Sequence, residues 1–153
     1  MTGLKDQLHH DLTAAMRARD ELVTSTLRMV LAAITTAEVA GDTAVTLSDG
    51  EIVGVLRSEG KKRAEAAEIY AGAGRVEKAA AERAELGVIE RYLPAAMDEG
   101  QLATIVAEEV AAAAAAGSAG PKAMGIVVKA VRARAGDAAD GSRIAALVKA
   151  ALA

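Results

Sequence analysis

A chain of 153 residues with 52% hydrophobic and 25% charged side chains is long enough for one well-filled domain or two small ones, and it is not a disordered tail. A formal net charge of -3 argues against a surface that clings throughout to nucleic acid or anionic membrane, so any such binding must be local. The lack of cysteine excludes disulfides, thiolate metal sites and cysteine nucleophiles, and the lack of Phe and Trp removes most of the aromatic platforms on which single-stranded nucleic acid stacks.

The first segment, "MTGLKDQLHHDLTAAM", places Leu4, Leu8, Leu12 and Met16 at helical spacing but breaks them with charges, so it has no signal-peptide core. No run reaches the roughly 18 apolar residues of a membrane span, and a soluble, cytoplasmic protein without a membrane partner is expected. A second helix carries Val23, Leu27, Val30, Leu31 and Ile34. A third, from about Asp49 to Ala71, opens on a capping box of Ser48 with Glu51 and turns Ile52, Leu56, Ala66 and Tyr70 inward. The fourth, about Arg75 to Leu93, aligns Ala79, Leu86, Ile89 and Leu93 and is stopped by Pro94, which has no N–H to continue the ladder.

Beyond Pro94 the chain changes character. Asp98 and Gln101 repeat the capping signal before "LATIVAEEVAAAAAAG", an alanine-rich helix ended by Gly117. Pro121 opens a sixth helix with Met124, Val127, Val128 and Val131 on one stripe, and a seventh follows Asp140-Gly141 with Ile144, Leu147, Val148 and Leu152 inward. No segment alternates like a strand. The reading is all-α: an N-terminal bundle of about four helices over 1–94 and a small three-helix domain over 95–153.

Little in this chain resembles a catalytic centre. His9 and His10 are adjacent, so they project from different sides of their helix and cannot chelate one metal as an i,i+4 pair does. In "YAGAGRVEK" Glu77 stands where a GxGxxG loop needs its third glycine, and no strand precedes it, so a joint between antiparallel helices is expected. No nucleophile motif or phosphate loop is present. No catalytic residue, metal or cofactor is therefore assigned.

Two clusters remain as candidates. Glu59 and Arg63 fall inside the apolar stripe of the third helix, and Glu38 inside that of the second. Buried charges persist only when paired, which makes Glu38 or Arg28 an expected partner for the Glu59–Arg63 pair in a structural polar network. Arg57, Lys61, Glu65 and Glu68 fall on the opposite, solvated side, with Lys62 on a flank. After Gly117, Lys122, Lys129, Arg132, Arg134, Arg143 and Lys149 face only Asp137 and Asp140, a local balance of +4, while the preceding helix carries Asp98, Glu99, Glu108 and Glu109 and no base. Lys122, Lys129, Arg132, Arg134 and Arg143 are the candidate phosphate-binding residues.

Together "LRMVLAAITTAE", "EGKKR" through "AGAGR", "ELGVIERYLP" and "KAMGIVVKAVRARAGDAADGSRIAALV" resemble the GatB/YqeY family, in its short stand-alone YqeY-like form. The sharpest pieces are Glu90-Arg91-Tyr92-Leu93-Pro94, Met124-Gly125 and Ala139-Asp140-Gly141. The family pattern often has Asn where Thr36 stands and Arg where Ser58 stands. The resemblance implies a tail module like the one that ends the B subunit of glutamine-dependent aminoacyl-tRNA amidotransferase, where it is associated with holding tRNA. It thus implies an accessory tRNA-binding protein, under a family label of carbon–nitrogen ligase with glutamine as amido-N-donor, without the catalytic machinery of that enzyme. The alternative is a protein–protein adaptor using the N-terminal bundle.

Overall fold

The protein is described here from a computed structural model over residues 3–153. Among the described residues the fold is all-α, with no strand. The chain divides into two compact units, Met1–Leu93 and Pro94–Ala153.

The first unit contains α1 (Leu4–Ala18), α2 (Glu21–Glu38), α3 (Asp49–Gly72) and α4 (Val76–Glu90). The α1–α2 turn is tight: Arg19 takes a left-handed conformation at φ 57, and Asp20 caps α2 by accepting from the Val23 N–H at 3.1 Å. Leu8, Leu27, Val30, Leu31, Ile34, Ile52, Leu56, Val88 and Ile89 form the core. Burying each of these side chains contributes about 1.5–3 kcal/mol. Met16 does not join them. It is 49% exposed, and Ala15 is the buried residue of that last turn.

The expected stripe of α3 is partly corrected. Ile52 and Leu56 are buried, but further along Gly60, Arg63 and Ala67 are buried while Ala66 and Tyr70 are only half-buried. The reason lies in α4, which folds back along α3 after a joint at Gly74, a glycine held at φ 74. Val53, Leu56, Gly60, Arg63 and Ala67 follow the alternating three-four spacing of a coiled-coil seam, and Ala79, Glu82, Leu86, Ile89 and Leu93 follow it on the other side. At Gly60 the two helices come close: a Cβ there would sit 3.2 Å from Leu86 Cδ1 and 3.6 Å from Ile89 Cγ2. α4 ends at Glu90, and Arg91, Tyr92 and Leu93 form a turn before Pro94.

The second unit contains α5 (Glu99–Ala115), α6 (Met124–Ala135) and α7 (Gly141–Leu152), with 3-10 turns at Gly120–Ala123 and Gly136–Ala138. Asp98 and Gln101 form the capping box that opens α5. Leu102, Val106, Ala123, Val127, Val131, Ile144 and Val148 are buried together. The lead-in to α5 is tied down by the Met97 N–H, which donates to the Ala138 carbonyl at 2.8 Å.

Candidate nucleic-acid interface and the buried polar network

The basic residues of the second unit are not equivalent. On α6, Val127, Val131 and Ala135 face the core, so Lys129 points away from it, with Arg132 on one flank and Arg134 on the other. Lys122 lies on the 3-10 turn before α6 and is exposed, as are Lys129 and Arg132. These three make no ion pair among the described residues. Arg132 folds toward α7: a Cβ at Gly141 would collide with its Nη2 and come within 3.3 Å of its Cζ.

Arg134 and Arg143 are engaged by the acidic helix. Arg134 Nη2 is 2.7 Å from Glu108 Oε2, and Arg134 Nη1 donates to Glu109 Oε1 at 3.2 Å. The hydrogen bonds that it donates to Glu108 and then Glu109 hold the Arg134 guanidinium above its usual basicity. Arg143 Nη1 donates to the Met97 carbonyl at 3.3 Å, and its Nε lies 2.5 Å from Glu99 Oε1, a charge pairing that lacks hydrogen-bond alignment. The one-sided charges of α5 and of α6–α7 are therefore complementary in space. Residues 94–153 hold six basic and six acidic side chains. The +4 stretch thus sits in a neutral unit, and among the described residues Lys122, Lys129, Arg132 and Lys149 are its bases without an ion pair, so only three of the five predicted residues are left unpaired.

In the first unit, Arg63 is 7% exposed and fully engaged. Its Nη1 donates to Glu59 Oε2 at 2.9 Å and to the Glu59 carbonyl at 3.0 Å, its Nε to Glu85 Oε2 at 3.0 Å, and its Nη2 to the Met29 sulfur at 3.5 Å. Glu59 also accepts from Lys62 Nζ at 2.8 Å. Burial pushes the Glu59 carboxyl up, but the hydrogen bonds and charges of Lys62 and Arg63 outweigh it and hold it below the ordinary carboxylate value.

The expected link from this pair to Glu38 or Arg28 is corrected. Glu38 is 9% exposed, and its carboxylate accepts from Lys5 Nζ at 2.9 and 2.7 Å and from the Leu47 N–H at 3.3 Å. A carboxylate in the last turn of α2 opposes the helix dipole, and Lys5, reaching over from α1, offsets that repulsion. The Lys5 hydrogen bond is the main reason the Glu38 carboxyl is held below its ordinary value. Arg28 stands apart: it is exposed, and its Nη2 donates to the Met16 sulfur at 3.8 Å. Sequence reasoning misses Glu85 and Lys5. The seam spacing places Arg63 between α3 and α4 and so calls for an acid on α4, but it runs through Glu82 rather than the actual partner Glu85; nothing local in the sequence points to Lys5.

Arg57, placed on the solvated side by its angle, is half-buried. His9 and His10 are exposed, and among the described residues no group of three or more His, Asp or Glu converges as metal ligands would. No single helix of the described residues is long and apolar enough to cross a membrane.

Compared with known protein families, residues 5–152 match the family described as Yqey-like protein. No curated protein matches the chain.

Proposed function

The chain belongs to the YqeY-like family, and from that membership we propose that it is an accessory tRNA-binding protein, related to tRNA-dependent amidotransfer and without a catalytic centre of its own. One observation carries this reading: Lys129 and Arg132 stand one turn apart on the exposed side of α6 with no acidic partner among the described residues, and Lys122 precedes the same helix. Cations left unpaired in a neutral unit are available to phosphates. With two tyrosines as its only aromatic side chains, the protein would recognise folded RNA shape through the backbone rather than by stacking bases.

The reading is tested by gel retardation of bulk tRNA at two salt concentrations. Lys129→Glu with Arg132→Glu should weaken binding and flatten the log-log salt dependence by roughly 0.7–0.9 for each phosphate no longer neutralised, whereas Lys61→Glu in the other unit should not. A tRNA that is not retained at low salt would remove the proposal.

A second reading, a protein–protein adaptor, is favoured by the apolar side chains that the first unit leaves in water. Ile69 and Val76, on either side of the α3–α4 joint, are 71% and 72% exposed. Ile69→Lys with Val76→Lys should then abolish capture of a protein partner and leave tRNA retention unchanged.

A further inference from the structure

We infer that Arg134 is a phosphate-binding residue held in reserve, with Glu108 and Glu109 of α5 occupying its guanidinium in place of a phosphate until a polyanion displaces them. The inference rests on the tRNA-binding reading and adds to it a site and an internal competitor.

Three observations lead there. The first is geometric: Arg134 meets two carboxylates at once, at 2.7 and 3.2 Å, so its donors are arranged around a doubly charged oxygen cluster much as they would be around phosphate oxygens. The second is location. On α6, Lys129 points outward with Arg132 and Arg134 on its two flanks, so a released Arg134 widens the surface that Lys129 and Arg132 already form. The third is accessibility: the side chains of Arg134 and Glu108 are 42% and 55% exposed, with Glu109 closer in at 22%. The Arg134–Glu108 pair, being this open to water, contributes little to stability and can be exchanged for another anion without disturbing the core. Arg143 differs. It also holds the Met97 carbonyl, and its side chain is less exposed, at 30%, so it belongs to the framework of the unit.

The masking has a directional consequence. A strand of phosphates approaching α6 meets the carboxylates of Glu108 and Glu109 as well as the cations, so weakly charged ligands are repelled, while a dense polyanion gains a further ion pair once Arg134 swings free.

The test is a mutant cycle on the full chain: wild type, Arg134→Ala, Glu108→Gln with Glu109→Gln, and all three changes together. Each is titrated with bulk tRNA and with inorganic polyphosphate at several salt concentrations. Glutamine keeps the size and helix propensity of glutamate, and circular dichroism checks that each variant is folded. Removing the two carboxylates should tighten binding about three- to tenfold and steepen the salt slope by roughly 0.7–0.9, the value for a single phosphate. Arg134→Ala should erase that gain, and should weaken wild-type binding less than it weakens the unmasked variant. The inference is overturned if the double glutamine variant binds no tighter, if the gain survives Arg134→Ala, or if Arg134→Ala weakens wild type as much as it weakens the unmasked variant. Polyphosphate separates the two ideas. An Arg134-dependent gain for polyphosphate with no tRNA bound by any variant keeps the masking and discards the tRNA reading. No gain with either ligand discards the masking.

Discussion

Arg63 Nε lies 3.0 Å from Glu85 Oε2, which fastens α3 to α4 at a seam position where a coiled coil ordinarily places an aliphatic side chain. The same guanidinium reaches back to Glu59, so one buried cation is shared by carboxylates on two helices. Removing it leaves Glu85 without its cation and Glu59 with Lys62 alone, the exposed one of its two partners. Arg63→Ala is expected to cost about 3–5 kcal/mol of unfolding free energy, whereas Lys62→Ala, which removes the exposed partner of the same Glu59, is expected to cost about 0–1 kcal/mol. Urea denaturation of the two variants checks the contrast, and equal midpoints would contradict it.

The depressed carboxyl of Glu59 gives this network a pH signature. A carboxyl whose folded value lies below its ordinary value of 4.5 favours the fold at neutral pH. Its contribution is complete above that value and is lost as pH falls through the lower folded value. Glu38, held down mainly by Lys5, acts in the same direction. Thermal melts from pH 7 downward should therefore show a loss of stability below about pH 4.5 that is shallower in Glu59→Gln than in wild type. A parallel decline in the two proteins would show that Glu59 does not contribute.

Gly60 should be sensitive to size rather than to the loss of glycine itself. An alanine Cβ would press on the end of the half-buried Leu86 side chain, which can give way, and alanine gains about 1 kcal/mol of helix propensity over glycine. Gly60→Ala is expected to lie within about 1 kcal/mol of wild type. Gly60→Leu drives a branched side chain into the seam and should cost about 1–3 kcal/mol. Denaturation of both variants separates this account from one in which Gly60 serves as a flexible point, since alanine would then be the damaging change.

Tyr92 offers an alkaline counterpart. Its hydroxyl donates to Asp11 Oδ2 at 2.6 Å, and burial, followed by that hydrogen bond and the Asp11 charge, pushes the phenol well above its ordinary value of 10.0. Because the folded value is the higher one, the contribution is complete below pH 10 and disappears as pH rises through the folded value. Tyr92→Phe should cost roughly 1 kcal/mol at neutral pH and flatten the alkaline limb of the stability curve. A mutant whose alkaline limb matches wild type would refute the role of this bond.

The helices are legible in the sequence because they are written locally: Ser48 with Glu51 and Asp98 with Gln101 form the capping boxes that the sequence announces. Partners across helices are less legible. Angular projection along a single straight helix puts Ala66 and Tyr70 inside, but α3 buries the side that meets α4, and the three-four spacing of Gly60, Arg63 and Ala67 carries that information only when both helices are considered together. Glu38 is recognisable as an inward charge, yet its partner Lys5 lies 33 residues away on another helix and follows no spacing rule. The basic tail is visible as composition. Its division into Arg134 and Arg143, which are paired, and Lys122, Lys129 and Arg132, which make no ion pair among the described residues, depends on how α5 lies against α6 and α7. An acidic helix without a base, next in sequence to a basic stretch, is the available hint.

The proximity of Arg132 to Gly141 bears on how this sequence can change. Position 141 is overlaid by a side chain nine residues earlier: a residue with a Cβ there would turn aside the Arg132 guanidinium, the exposed end of a flexible chain, from its place over the start of α7. Gly141→Ala should therefore leave the fold intact and alter only where that cation is held. A glycine dispensable to the helix it opens would thus set the aim of a charge carried by its neighbour.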